Sequence, residues 1–203
     1  RRFDEHAAQW NWAVGETGIG TEWVLALDAD YQVTDELVEE LRRLDPGPDV
    51  AGYRASFVYC VSGRRLRGSV YPPVTVLYRR DRARYVQDGH TQRIRVEGRV
   101  LDLAAPILHD DRKPFSAWLR AQRRYMRLEA RLLRSRRWAD LGWPDRVRKL
   151  RFVAPFSVFL YCLVVQGGLL DGRAGWSYAF QRMIAETVLS LNLLRGDLGF
   201  RKG

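Results

Sequence analysis

Cysteine is scarce: Cys60 and Cys162 are the only two in 203 residues. Two thiols so far apart make neither a disulfide framework nor a metal-ligand spacing. That excludes a cysteine-stapled secreted domain and a zinc module, and a reducing, cytoplasmic setting is expected. Internal repeats are also absent, which excludes a solenoid. There is no low-complexity tract and no secretory signal pattern. Forty-six per cent of the residues are apolar, enough for a real core. The length fits one domain, or one domain with an appendage.

Acidic charge is lacking in one region. The formal net charge is +10. From Arg112 to Arg151 about fourteen Lys and Arg face only Glu129, Asp140 and Asp145. This surplus alone accounts for the whole net charge. Nucleic acid, an anionic membrane surface or a phosphorylated substrate would each suit it.

The chain is organised around Glu22-Trp23-Val24-Leu25-Ala26-Leu27-Asp28-Ala29-Asp30. An apolar run of strand length ends in two carboxylates spaced i, i+2. Such a run suits a strand buried on both faces, as in a parallel sheet. Open α/β sheets bind ligands at the carboxyl ends of their strands. On an extended backbone Asp28 and Asp30 point the same way. Two such oxygen donors suit a hard divalent cation bridging to phosphate. By itself an Asp-x-Asp tripeptide is more often a plain polar turn. Here Thr34-Asp35-Glu36-Leu37 follows as a helix start, with Thr34 as N-cap and Leu37 and Leu41 as the buried stripe.

Residues 4–16 read as an Ala-rich helix capped by Asp4, broken before the strand by Gly15, Gly18 and Gly20. The chain opens Arg1-Arg2-Phe3-Asp4, without Met, straight into that helix. A strand–helix portion is therefore expected to precede it. Residues 50–61 are rich in strand formers, and 70–79 form a strand interrupted by Pro72-Pro73, which suits an edge or a bulge. Short strands are expected over 93–96 and from Val100, and the α/β part closes at His109-Asp110-Asp111. From Pro114 the pattern is helical, to about Arg137 and again after Gly142-Trp143-Pro144. Residues 151–170 are almost wholly apolar, of borderline length for a span and weakened by Pro155, Gln166 and Gly167. A last helix runs from Trp176 to about Leu194. The expected domains are 1–112 and 113–203.

Several segments together resemble glycosyltransferase family 2, closest to its bacterial lipopolysaccharide-core glucosyltransferase-like branch. They are Gln9-Trp10-Asn11-Trp12-Ala13, Asp28-Ala29-Asp30, Tyr71-Pro72, Leu77-Tyr78-Arg79-Arg80, Asp88-Gly89-His90-Thr91-Gln92 and Ile107-Leu108-His109. The resemblance implies a GT-A-like (Rossmann-like) α/β domain with a mixed sheet, lacking its first strands here, followed by a helical, membrane-associated region. It implies an inverting, metal-dependent transfer of a hexose from a nucleotide-sugar, such as a UDP-hexose, to a membrane-linked glycan or lipid. Gln9, Asn11, Asp28 and Arg79 would contact the nucleotide-sugar. Asp28 and Asp30, with His109 as a further ligand or phosphate contact, would hold Mg²⁺ or Mn²⁺. The general base would be Asp88 or His90, or act through water. Branch members often show His-Glu where this chain has His90-Thr91. Gln122-Arg123-Arg124-Tyr125 is similar to a Gln-x-x-Arg-Trp signature of processive members, one residue short.

Each of these residues also has a plainer reading. His109 and His6 suit hydrogen-bonded structural roles, Asp88 before Gly89 suits a turn, and Gln9 and Asn11 suit surface polar groups on different helix faces. For the second half, Arg side chains beside an apolar surface suit an anionic leaflet. The expectation is an in-plane or partly inserted helix pair at the inner face of the cell membrane; the competing reading makes 152–170 a buried core helix. Two other functions fit the residues. One is an inactive or truncated homologue. The other is a nucleic-acid binder using 112–151, although Trp118 and Tyr125 lie seven apart and suit packing equally well. The expectation adopted is no nucleic-acid partner.

Overall fold

The computed structural model describes residues 2, 4–88 and 91–197. The chain divides into two compact units: residues 1–60 with 70–111, and residues 61–69 with 112–203. The first is a mixed α/β structure and the second is helical.

In the first unit, four strands form one sheet in the order β1 (Trp23–Leu25), β6 (Val74–Arg79), β3 (Val50–Ala55), β9 (Arg99–Asp102). β6 is antiparallel to both neighbours, and β3 and β9 are parallel. In a second sheet β10 (Ile107–His109) lies between β2 (Tyr31–Gln32), antiparallel, and β4 (Phe57–Val61), parallel. Three times the chain passes from the first sheet into the second: β1 to β2, β3 to β4, and β9 to β10.

The helix α2 (Asp35–Arg42) begins as expected, with the Leu37 amide donating to Thr34 Oγ1 at 3.2 Å. Its Leu37 is fully buried among Val50, Tyr53, Ala55, Val76 and Ile107. Glu40, on the same helix, accepts from the amides of Ala104 and Ala105, each at 2.8 Å. These two amides lie in the connection from β9 to β10, where no strand partner would satisfy them. At Gly98, φ is +133° and a Cβ would press on the Ala51 Cβ at 2.7 Å, so the turn into β9 requires glycine.

The helix α1 (His6–Glu16) packs on the hairpin β7 (Ala83–Asp88) and β8 (Thr91–Val96). A second core forms there from Ala7, Val24, Tyr78 and Tyr85, with Trp10 stacked on Tyr85 at 5.4 Å. Asn11 fixes the pairing. Its Nδ2 donates to the Tyr85 carbonyl and its Oδ1 accepts from the Tyr85 amide, both at 2.9 Å.

Four expectations are corrected. The helix starts at His6 with Glu5 in the N-cap position, and Asp4 instead accepts from the Glu5 amide at 2.7 Å. β1 is not a parallel strand buried on both faces. It pairs antiparallel at the edge of its sheet, and Leu25 is 38% exposed. Its apolar run serves two packing jobs: Val24 points under α1 while Trp23 and Leu27 pack on the main core. The 50–61 run is two strands divided at Ser56, because the chain changes sheets there. The expected strand over 70–79 starts only at Val74, beyond the prolines, which cannot donate to a ladder.

In the second unit, α3 (Phe115–Ser135) buries Met126, Ala130 and Leu133 against Leu189 and Leu193 of α6 (Gly172–Asp197). Between them lie α4 (Trp143–Lys149) and α5 (Val153–Leu160), a π turn over Tyr161–Val165 and a 3-10 turn over Gly168–Asp171. Arg148 ties α4 to its neighbours. Its guanidinium donates to Glu186 at 2.9 Å and reaches Glu129 and Asp145 at 3.4 Å. Burial lowers its pKa, but these three carboxylates outweigh burial and hold the guanidinium charged.

Asn11→Ala should lower stability by about 1–3 kcal/mol, because it leaves both polar groups of the Tyr85 backbone without their partner. Asn11→Asp, which sets a carboxylate oxygen against the Tyr85 carbonyl, should lower it at least as much. Urea unfolding midpoints of the three proteins check this order.

Candidate functional site

Asp28 and Asp30 do not lie along an extended strand. The Tyr31 amide donates to the Asp28 carbonyl at 3.0 Å, closing a tight turn over residues 28–31. The turn is where the chain passes from β1 in one sheet to β2 in the other. It is held on both sides. Ala26 donates to the Val76 carbonyl at 2.7 Å, and Asp110 donates to the Asp30 carbonyl at 3.2 Å. The twin acids are therefore placed by two sheets rather than by one strand end.

Strand register builds the wall beside them. His109 of β10 lies opposite Tyr31 of β2 and opposite Tyr59 of β4. Residues directly opposite in neighbouring strands share a face, so the imidazole stands between two phenols. Its ring is 5.3 Å from Tyr31 and 4.8 Å from Tyr59, and Tyr71, from the segment before β6, closes in at 4.6 Å. Phe57 fills the space between Tyr31 and Tyr71 at 4.8 and 4.9 Å. The Tyr31 and Tyr71 hydroxyls are hydrogen-bonded at 2.6 Å.

The electrostatics follow from this crowding. Burial of its carboxyl, then the neighbouring Asp30 charge, push Asp28 above the usual aspartate range. A hydrogen bond from Tyr31 and the imidazoles of His109 and His6 pull the other way. Much of the Asp28 residue is open to solvent, and water on that side screens part of the effect. Burial, the Tyr71 hydrogen bond and the twin carboxylates raise the Tyr31 phenol, which stays protonated as a donor. A phenol has one proton. Either hydroxyl can donate across the 2.6 Å contact with Tyr71; when Tyr31 gives its proton to Asp28, Tyr71 gives its own to Tyr31. In that arrangement the two tyrosines form a relay towards the Asp28 carboxylate.

His109 is 8% exposed, and its Nε2 is 3.5 Å from Asp30 Oδ2. Its Nδ1 is buried with no hydrogen-bond partner. Among the described residues no group of three His, Cys, Asp or Glu side chains is placed to hold a metal ion by itself. The donors present nevertheless fit a divalent cation that takes one or two carboxylates and draws its remaining ligands from water and a diphosphate.

Two of the other expected site residues, Asn11 and Arg79, bond to the backbone. Asn11 is engaged by the Tyr85 backbone. Arg79 is buried. Its Nε donates to the Val50 carbonyl at 2.9 Å, it pairs with Glu22, and its guanidinium lies 4.7 Å over the Trp23 ring, its cross-strand partner. Gln9 keeps a buried Oε1 without a hydrogen-bond partner. Asp88 ends β7 and pairs with Arg93 at 2.8 Å. His90 lies outside the described residues. In α3, Trp118 stacks on Phe115 at 5.5 Å and Tyr125 packs against the core.

The sequence reading passed over Tyr31, Tyr59 and Phe57 as site residues. Tyr31 directly follows the acidic pair, which is a signal. The convergence of Tyr59 and Phe57 depends on the pairing of β4 with β10, which no local pattern encodes.

Asp28 binds its proton more tightly folded than unfolded. Stability from this group is therefore greatest below the ordinary pKa of 3.8 and falls as pH rises through the folded pKa. Asp28→Asn does not titrate, so its stability relative to the parent should rise across that window and stay level at neutral pH. Urea midpoints of the two proteins between acid and neutral pH check it, and a difference flat with pH would contradict it. No family model matches the chain, and no solved structure matches it.

Proposed function

We propose that the first unit is the donor-binding domain of an inverting glycosyltransferase of the GT-A type. It would move a hexose from a nucleotide-sugar, such as a UDP-hexose, to a membrane-linked glycan or lipid. The observation that carries the reading is the Asp28–Tyr31 turn between two sheets, with its carboxylates beside the wall of Tyr31, Tyr59, Tyr71 and His109. The motif series from Gln9 to His109 supports it.

Sugar transfer to a hydroxyl makes three demands: charge on the departing diphosphate must be offset, the sugar must be held in place, and the hydroxyl must lose a proton. Asp28 and Asp30 would hold Mg²⁺ or Mn²⁺, which supplies positive charge to the diphosphate when bound. The Tyr71–Tyr31 relay keeps the Asp28 carboxylate turned to that task. His109 braces Asp30 from the strand behind. The half-exposed Tyr59 and Tyr71 rings offer apolar faces against which a sugar ring can lie. Asp88 is the proposed base that accepts the proton of the attacking hydroxyl, with His90 the second candidate. An inactive homologue is the competing reading, and the same assays separate the two.

Asp28→Ala and Asp30→Ala should each lower transfer or donor hydrolysis with Mn²⁺ or Mg²⁺ on the order of 100-fold. Tyr71→Phe, which breaks the relay and keeps the ring, should lower it less. Unchanged turnover in Asp28→Ala, or turnover indifferent to added cation, would sink the proposal. Tight nucleotide-sugar binding with no turnover in the parent protein would mark an inactive homologue.

A further inference from the structure

The second unit carries an apolar surface on its outside. Phe152, Phe156, Leu160 and Val164 recur every four residues, along one face of α5 and the π turn, and they are 71, 67, 58 and 64% exposed. The opposite face buries Ala154, Pro155, Cys162 and Leu163. A helix apolar on all sides suits a protein interior or a membrane, and this one has an open side. The surface continues onto α6, where Trp176 and Phe180, 41 and 44% exposed, pack with Phe159 at ring distances of 5.0–6.0 Å.

Length decides how such a surface meets a bilayer. Among the described residues no single helix is long and apolar enough to cross one. The straight apolar piece is Val153–Val165, about 20 Å at helical rise against a hydrocarbon core of about 30 Å. After a break the chain turns by 71° into the helix that follows. The two helices have the length and composition of a span only when taken together, and the bend between them suits a face laid into one leaflet.

Charge selects the occupant. The second unit holds 22 Lys and Arg against 6 Asp and Glu, while the first holds 12 against 18. Arg146 and Lys149 lie at the end of α4 just before the stripe, and exposed Arg173 follows it. A second copy of this chain would bring two strongly cationic surfaces together. An anionic surface with an apolar interior satisfies both features at once.

We propose that the α5–α6 face inserts into a single leaflet of an anionic lipid bilayer, with Phe156 and Val164 among the acyl chains and the basic residues at the headgroups. The inference concerns the second unit and stands apart from the donor chemistry of the first.

The test is co-flotation of the full chain with vesicles of phosphatidylcholine alone and of phosphatidylcholine mixed with phosphatidylglycerol. The parent protein should bind the mixed vesicles more tightly, and added salt should weaken that binding. Phe156→Glu combined with Val164→Glu should lower partitioning roughly tenfold or more. Both side chains are exposed, so the helical circular dichroism and urea midpoint should not change. Phe156→Ala, a milder change, should give a smaller loss in the same direction. Arg173→Glu should weaken binding to the mixed vesicles only. Asp28→Ala should bind as the parent does, which separates failure here from failure of the transferase reading. Undiminished flotation of the double variant would overturn the proposal. So would equal, salt-insensitive binding to both vesicles, or a dimer in sedimentation that Phe156→Glu abolishes.

Discussion

The first unit depends on a register constraint. β10 is a strand of only three residues, held between an antiparallel and a parallel neighbour. Because His109 is fixed opposite both Tyr31 and Tyr59, the imidazole has no alternative face. A slip of one residue would turn it to the other side of the sheet and bring Leu108 forward. The Asp110 amide, next in the chain, then could not reach the Asp30 carbonyl. Placement of the acids, the histidine and the tyrosines is therefore a single event, not four independent ones.

This explains which parts of the molecule were legible in the sequence. The capped start of α2 was, because Thr34 and Leu37 are three residues apart and the bond between them is local. The helical second half was legible too, since apolar spacing and basic runs are local patterns. The strand over 50–61 was seen as one because nothing local marks Ser56 as a point where the backbone changes sheets. The edge position of β1 was hidden for a related reason. Its apolar run looks fully buried, yet Val24, Trp23 and Leu27 are divided between two cores, and Leu25 faces out.

Side-chain roles were harder than strand positions. Asn11 and Arg79 are polar residues in suggestive places, and both donate to backbone carbonyls. Buried backbone groups need partners as much as ligands do, and from sequence the two uses look alike. Tyr71 was visible only as part of a Tyr-Pro segment in an expected strand, and Tyr31 only as the residue after the acidic pair. Their hydroxyl–hydroxyl bond joins positions forty residues apart, and only the fold makes them a relay to Asp28.

The distribution of charge connects the two halves of the reading. The first unit is acidic, with 18 acids against 12 basic residues, although the chain as a whole is strongly basic. A diphosphate of the proposed donor, approaching the Asp28–Asp30 turn, would meet carboxylates first. Arg79, the basic residue that the sequence offers for those phosphates, is committed to the Val50 carbonyl, Glu22 and the Trp23 ring. In the proposed transferase, attraction would then come from a cation recruited by the two carboxylates. The acids, which alone would repel the donor, would in that case be the reason that it binds.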